Sequence, residues 1–183
     1  MLSLLRDVPD FPQPGIVFRD LSPVLADAAA FTELVDDLVD RSLAMVAEAG
    51  TGNGNGNGAA GFDAVLGIDA RGFVLGAAIA RTLGLGLICV RKPGKLPAVA
   101  HRADYQLEYG TATLELPAGV LPAGRRVLVV DDVLATGGTM AAACQLVEAA
   151  GAVVAGVAVA VELAALGGRD RLGDRPFTTY LVL

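Results

Sequence analysis

The chain has 183 residues, 54% of them apolar, and its 20 acidic and 14 basic side chains leave a formal net charge of −6. This length and composition suit one domain with a real core and exclude a disordered chain. The acidic balance argues against a nucleic-acid partner, which needs a basic face, and the chain lacks the charge-free apolar run of about 18 residues that a membrane span would require, so no membrane partner is expected.

In chain order, residues 31–48 place Leu34, Leu38 and Met45 at helical spacing among acids. Residues 51–58, an Asn-Gly repeat, cannot pack and read as a flexible surface loop. Deleting residues 52–57 is expected to leave activity nearly intact, because loop length changes closure entropy only slowly. An assay of a folded deletion variant checks this, and lost activity would refute it. Apolar runs follow at 63–69, 85–90, 126–131 and 153–161, with helical stretches at 72–83 and 138–150. Runs apolar on both faces, alternating with helices, predict an α/β fold: a mostly parallel central sheet flanked by helices. Ligands of such sheets bind where the strands end, and charged residues recur there. Cys89 and Cys144 sit in apolar runs and read as buried, reduced thiols. No leader pattern opens the chain, so a cytoplasmic location is expected.

The strongest local signal is Val129 to Thr139, an apolar strand running into Asp131 and Asp132, then Ala135-Thr136-Gly137-Gly138-Thr139, then a helix. Glycines let the backbone approach a ligand and turn its N–H groups toward it. A helix start adds unpaired N–H groups and a positive dipole end. Together with the Thr136 and Thr139 hydroxyls this makes a cradle for a monophosphate. Carboxylates one step away can accept from a pair of hydroxyls, so the expected ligand is a sugar phosphate. The turn lacks the Lys-Ser/Thr of a nucleotide triphosphate loop.

Arg71, at the end of the 63–69 run, can pair with a diphosphate oxygen. The two lysines of the chain, Lys92 and Lys95, stand together beside Arg91, with His101 and Arg102 close by in sequence. An acidic chain that gathers its cations this way is expected to meet a polyanion. Residues 92–110, rich in Pro and Gly, read as a flexible lid. Glu108, between Leu107 and Tyr109, suits proton transfer if lid closure desolvates it.

The 129–139 stretch resembles the 5-phosphoribosyl-1-diphosphate (PRPP) motif of type I phosphoribosyltransferases. With Asp10 to Asp20, Arg71-Gly72-Phe73, the Arg91-Lys92 loop and Leu107-Glu108-Tyr109-Gly110, it stands in the order found in the adenine phosphoribosyltransferase family. The resemblance covers nearly the whole chain; the departure is the Asn-Gly loop.

The resemblance implies one domain over 1–183 of the type I phosphoribosyltransferase fold, with a small N-terminal base-binding hood at 1–25, a flexible loop at 51–61 and the lid. It implies transfer of the phosphoribosyl group from PRPP to adenine, giving AMP and diphosphate. Asp131 and Asp132 would hold the ribose hydroxyls, Ala135 to Thr139 the 5′-phosphate, and Arg71, Arg91, Lys92 and Lys95 the diphosphate. Val17, Phe18 and Arg19 would bind adenine, Val17 and Arg19 through their backbone. Glu108 would act as acid or base on the purine, or position it. Mg²⁺ would be the cofactor, bound mainly through PRPP and water rather than by a protein cage. A homodimer is implied, in which the partner subunit can supply Arg91 and Lys95. Two other readings share the fold: a 6-oxopurine phosphoribosyltransferase, which would favour a cation near the base where 161–166 has no lysine, and a PRPP-sensing regulator, which would need a nucleic-acid surface.

Overall fold

The computed structural model describes residues 2–11, 13–15, 17–48, 61–107 and 110–183. They form two compact units, Met1–Asp37 and Leu38–Leu183.

In the first unit, β1 (Arg6–Pro9) and β2 (Val17–Asp20) pair antiparallel, with Val8 opposite Phe18. Phe11 meets Phe18 edge-on, with ring centroids 5.2 Å apart. The Asp20 carboxylate accepts from the Ser22 N–H (2.9 Å) and from Arg6 (2.5 Å). Hydrogen bonds from Ser22 and Arg6 hold its pKa at about 2. The chain then enters α1 (Ser22–Ala26), with a proline in its first turn where no N–H is needed. The helix α2 (Ala28–Glu48) follows, and the second unit begins within it. The spacing of apolar residues placed this helix from 31; it starts three residues earlier, on an alanine run.

The second unit is built on β3 (Ala64–Ile68), α3 (Arg71–Leu83), β4 (Gly86–Val90), β5 (Val99–Leu107), β6 (Gly110–Pro117), β7 (Arg126–Leu134), α4 (Gly138–Ala149), β8 (Val153–Glu162) and β9 (Phe177–Val182). Five of these strands form one sheet in the order β4-β3-β7-β8-β9, every neighbouring pair parallel. Val127 to Val130 and Val157 to Val161 are fully buried, as strands covered on both faces must be. The expected α/β architecture with a central parallel sheet is therefore the one observed. The fifth strand, β9, was not among the four apolar runs.

From β3 the chain steps to β4 on one side, and β7 returns to the other side of β3. The order reverses there, so loops after β3 and β7 leave in opposite directions and open a crevice between them. Such a switch point is where open α/β sheets take their ligands. Residues 92–98 are loop, but 99–107 are not irregular: β5 pairs antiparallel with β6, with Arg102 opposite Glu115.

Both cysteines are free. Cys144 is buried in α4, and burial pushes its thiol up to about 12. Cys89 in β4 is half-buried rather than buried, and desolvation raises it too. Neither thiol is poised to react. Among the described residues, no helix is long and apolar enough to cross a membrane.

Candidate active site

The crevice at the switch point is lined from two strand ends. After β3 come Asp69, Ala70 and Arg71, the last opening α3; the Asp69–Ala70 peptide is cis. Near the end of β7 stand Asp131 and Asp132. The first turn of α3 lies so close to β7 that a Cβ on Gly72 would stand 2.8 Å from the Val130 carbonyl and 2.9 Å from Asp131 Oδ1. Any side chain there would push Arg71 away from the acids, which is why the Arg-Gly pair belongs together.

Arg71 Nε sits 2.8 Å from Asp132 Oδ2 as an ion pair. That oxygen is buried and accepts no hydrogen bond, alone in this respect among the described side-chain oxygens and nitrogens. The Asp132 N–H donates to Asp131 Oδ1 at 2.9 Å. Burial, and then the charge of Asp132, push the Asp131 carboxyl well above the usual range. The pair thus resists carrying two full charges until a partner arrives.

The turn 135–137 joins β7 to α4, and Gly137 adopts φ +80° at the helix cap. The Ala141 N–H already bonds the Gly137 carbonyl, which leaves the N–H groups of Gly138, Thr139 and Met140 outside the helix ladder. Asp131, Val133, Leu134 and residues 135–140 line a pocket of about 80 Å³. By the same measure one water needs only about 10–15 Å³. A donor-lined pocket of this size at a helix start suits a phosphate.

Sequence reasoning missed the floor of this turn. A Cβ on Gly137 or Gly168 would collide with the other's backbone or with the Ala135 carbonyl. The signal was there as Gly167-Gly168, two residues that no strand or helix pattern explains. Gly137→Ala is expected to destabilise the fold by about 2–5 kcal/mol, summing left-handed backbone strain and overpacking. Chemical denaturation measures it, and an unchanged midpoint would refute this account of the turn.

The cations divide. Arg91 Nε lies 3.3 Å and Lys95 Nζ 3.6 Å from Asp69 Oδ2, so Asp69 gathers both on this chain. Burial pushes Asp69 up, but Arg91 and Lys95 outweigh it and hold the carboxyl below its ordinary value. Arg91 also lies over the Phe73 ring, 5.8 Å from its centroid. Lys92 is exposed. Arg102, grouped with these cations in sequence, turns instead to Glu115, its Nε 2.8 Å from Oε1. Arg71, Asp131, Asp132 and residues 135–139 are thus neighbours, and Asp69 holds Arg91 and Lys95. In the first unit, Arg19 pairs with Asp7, and Val17, Phe18 and Arg19 stand together on β2, the partner of β1 in a two-stranded sheet. Glu108 lies outside the described residues, as does the Asn-Gly repeat.

This sheet order with an acid pair and a glycine turn at the switch point defines a class, and the chain matches the phosphoribosyl transferase domain family over residues 43–176. An adenine phosphoribosyltransferase of Saccharopolyspora erythraea is 57% identical over 94% of this chain and 85% of its own length. That of Kineococcus radiotolerans is 58% identical over 93% and 84%. The crystal structure of the Rhodothermus marinus enzyme superposes with a TM-score of 0.85 at 40% identity, covering 100% of this chain and 96% of that one. The Saccharomyces cerevisiae enzyme, complexed with an imino-altritol bisphosphate and adenine, gives 0.84 at 35% identity over 98% and 96%. The chain belongs to the adenine phosphoribosyltransferase family.

Proposed function

We propose that the crevice between the ends of β3 and β7 is where this transferase moves the 5-phosphoribosyl group of PRPP to adenine, yielding AMP and diphosphate. The observation that carries the site is the juxtaposition of the acid pair Asp131 and Asp132, the donor-lined turn 135–139 and Arg71. A phosphate in the turn places ribose hydroxyls at the acids. Arg71, with Arg91, Lys92 and Lys95, then takes the diphosphate.

Departure of diphosphate leaves oxocarbenium-like charge at the anomeric carbon, as in glycoside cleavage. No covalent enzyme intermediate is needed if the leaving group is neutralised in place. Fixed guanidinium and ammonium groups do that without reorganising. The attacking ring nitrogen of adenine must lose its proton, and Glu108 is assigned to that exchange or to orienting the base. Val17, Phe18 and Arg19 are assigned to adenine, Val17 and Arg19 through their backbone, since the Arg19 side chain is occupied by Asp7.

Mg²⁺ fits the donors present. Asp131 and Asp132 are the hard oxygens beside the phosphate turn, and Asp132 Oδ2 has unspent lone pairs. The ion would be held mainly by diphosphate oxygens and water rather than by a protein cage, and would supply charge neutralisation of the leaving group. We assign residues 92–110 to closure over PRPP, 1–183 to one working domain, and the active form to a cytoplasmic homodimer.

The test is incubation with PRPP, Mg²⁺ and each purine in turn. AMP is expected from adenine. Turnover of hypoxanthine or guanine at a comparable rate would overturn the base assignment.

A further inference from the structure

One charged side chain enters the packed middle of the hairpin strand β6. Glu115 lies between the buried Leu114 and Leu116, and its side chain is 3% exposed. A buried carboxylate needs compensation. Arg102, directly opposite on β5 and itself 67% exposed, supplies it at 2.8 Å. On the other flank Glu115 exchanges both backbone hydrogen bonds with Arg91: the Arg91 N–H donates to Glu115 at 3.0 Å, and the Glu115 N–H donates back at 2.7 Å.

Residues directly opposite in antiparallel pairs project on the same face. Arg102, Glu115 and Arg91 therefore form a row: cation, anion, cation. Arg91 extends it, because its guanidinium reaches Asp69, which also holds Lys95. Charge alternates along five side chains, from the exposed face of the hairpin to the loop after β4. The two anions are the buried members, with side chains 3% and 6% exposed.

We propose that Glu115 is a positioning residue for diphosphate binding. Its carboxylate ties the hairpin strand to which the Arg91 backbone is bonded, and it keeps the charges of Arg102 and Arg91 apart. It touches no reacting atom. With a neutral side chain at 115, two arginines flank an uncharged position, and Arg91 leaves its place beside Asp69 and Phe73. The inference rests on the reading that Arg91 serves the diphosphate of PRPP.

The test is steady-state kinetics of Glu115→Gln, which keeps the shape and removes the charge. KM for PRPP is expected to rise about tenfold, the worth of roughly one charge-assisted hydrogen bond, with KM for adenine nearly unchanged; kcat falls as well, because Arg91 also neutralises the departing diphosphate. Glu115→Asp restores the charge and should recover part of the loss. Arg102→Gln lies on the exposed side and leaves the packing intact. It should raise KM for PRPP in the same sense, and the double variant should be no worse than Glu115→Gln alone. A KM for PRPP that is unchanged or lower in both single variants overturns the proposal, since removing an anion alone strengthens attraction for a polyanion. Equal losses for PRPP and adenine also overturn it, because they mark general loosening. Arg91→Gln is the control: if it leaves KM for PRPP unchanged, the reading beneath the proposal fails, and the failure is visible as such.

Discussion

Asp131→Asn and Asp132→Asn are each expected to lower kcat/KM for PRPP by about 10- to 150-fold, since a hydrogen bond to a charged group contributes roughly 1.5–3 kcal/mol. The amides keep the shape and lose the charge-assisted acceptors. The two variants should differ. Asp132 is buried and faces Arg71, so its loss also removes that ion pair. Asp131 carries a raised pKa, first from burial and then from the charge of Asp132. A carboxyl with a raised pKa protonates as pH falls, sooner than an ordinary one. Use of PRPP should therefore decline on mild acidification, and that acid limb should vanish in Asp131→Asn. Initial rates across a pH series decide this, and unchanged PRPP kinetics in both variants would refute the ribose assignment.

The second large effect is expected at Glu108. Proton transfer by a placed side chain typically contributes about 10²–10⁴-fold. Glu108→Gln keeps the size and can donate a hydrogen bond but cannot exchange a proton; Glu108→Leu does neither. If the residue works as acid or base, both variants lose turnover on that scale while PRPP binding survives. If it only orients adenine, Gln retains much of the rate and Leu does not. Single-turnover kinetics with a separate PRPP binding measurement distinguish these outcomes. Losses of only a few-fold in both would make Glu108 a bystander and leave the chemistry to diphosphate stabilisation.

The sheet was legible because its strands are buried on both faces. A run such as Val127 to Val130 has few alternatives once a helix follows it. The acid pair and glycine turn were legible because adjacent carboxylates and consecutive glycines have few structural uses. What escaped notice was diluted. In β5 the inward positions include His101 and Ala103, and the outward ones include Ala100, so alternation is blurred although Ala103 and Tyr105 are buried. The last strand, β9, is half-buried along most of its length and contains two threonines. Ion-pair partners escaped altogether. Asp69 is adjacent in sequence to the Arg71 turn, but its cations arrive from 22 and more residues away. Sequence spacing carries no trace of such contacts, nor of the bond that turns Arg102 toward Glu115.

The distribution of lysine has a practical consequence for anyone handling the protein. Both lysines sit in the loop after β4, and Lys95 is about half exposed beside Asp69. Reagents that acylate side-chain amines, and resins or biosensor surfaces that couple through them, have no lysine to choose elsewhere on the chain. Any molecule tethered through a side-chain amine is held by the very loop assigned to the diphosphate, and is blocked at its own entrance; only coupling at the terminal amine spares it. Coupling through carboxylates or an appended tag avoids this.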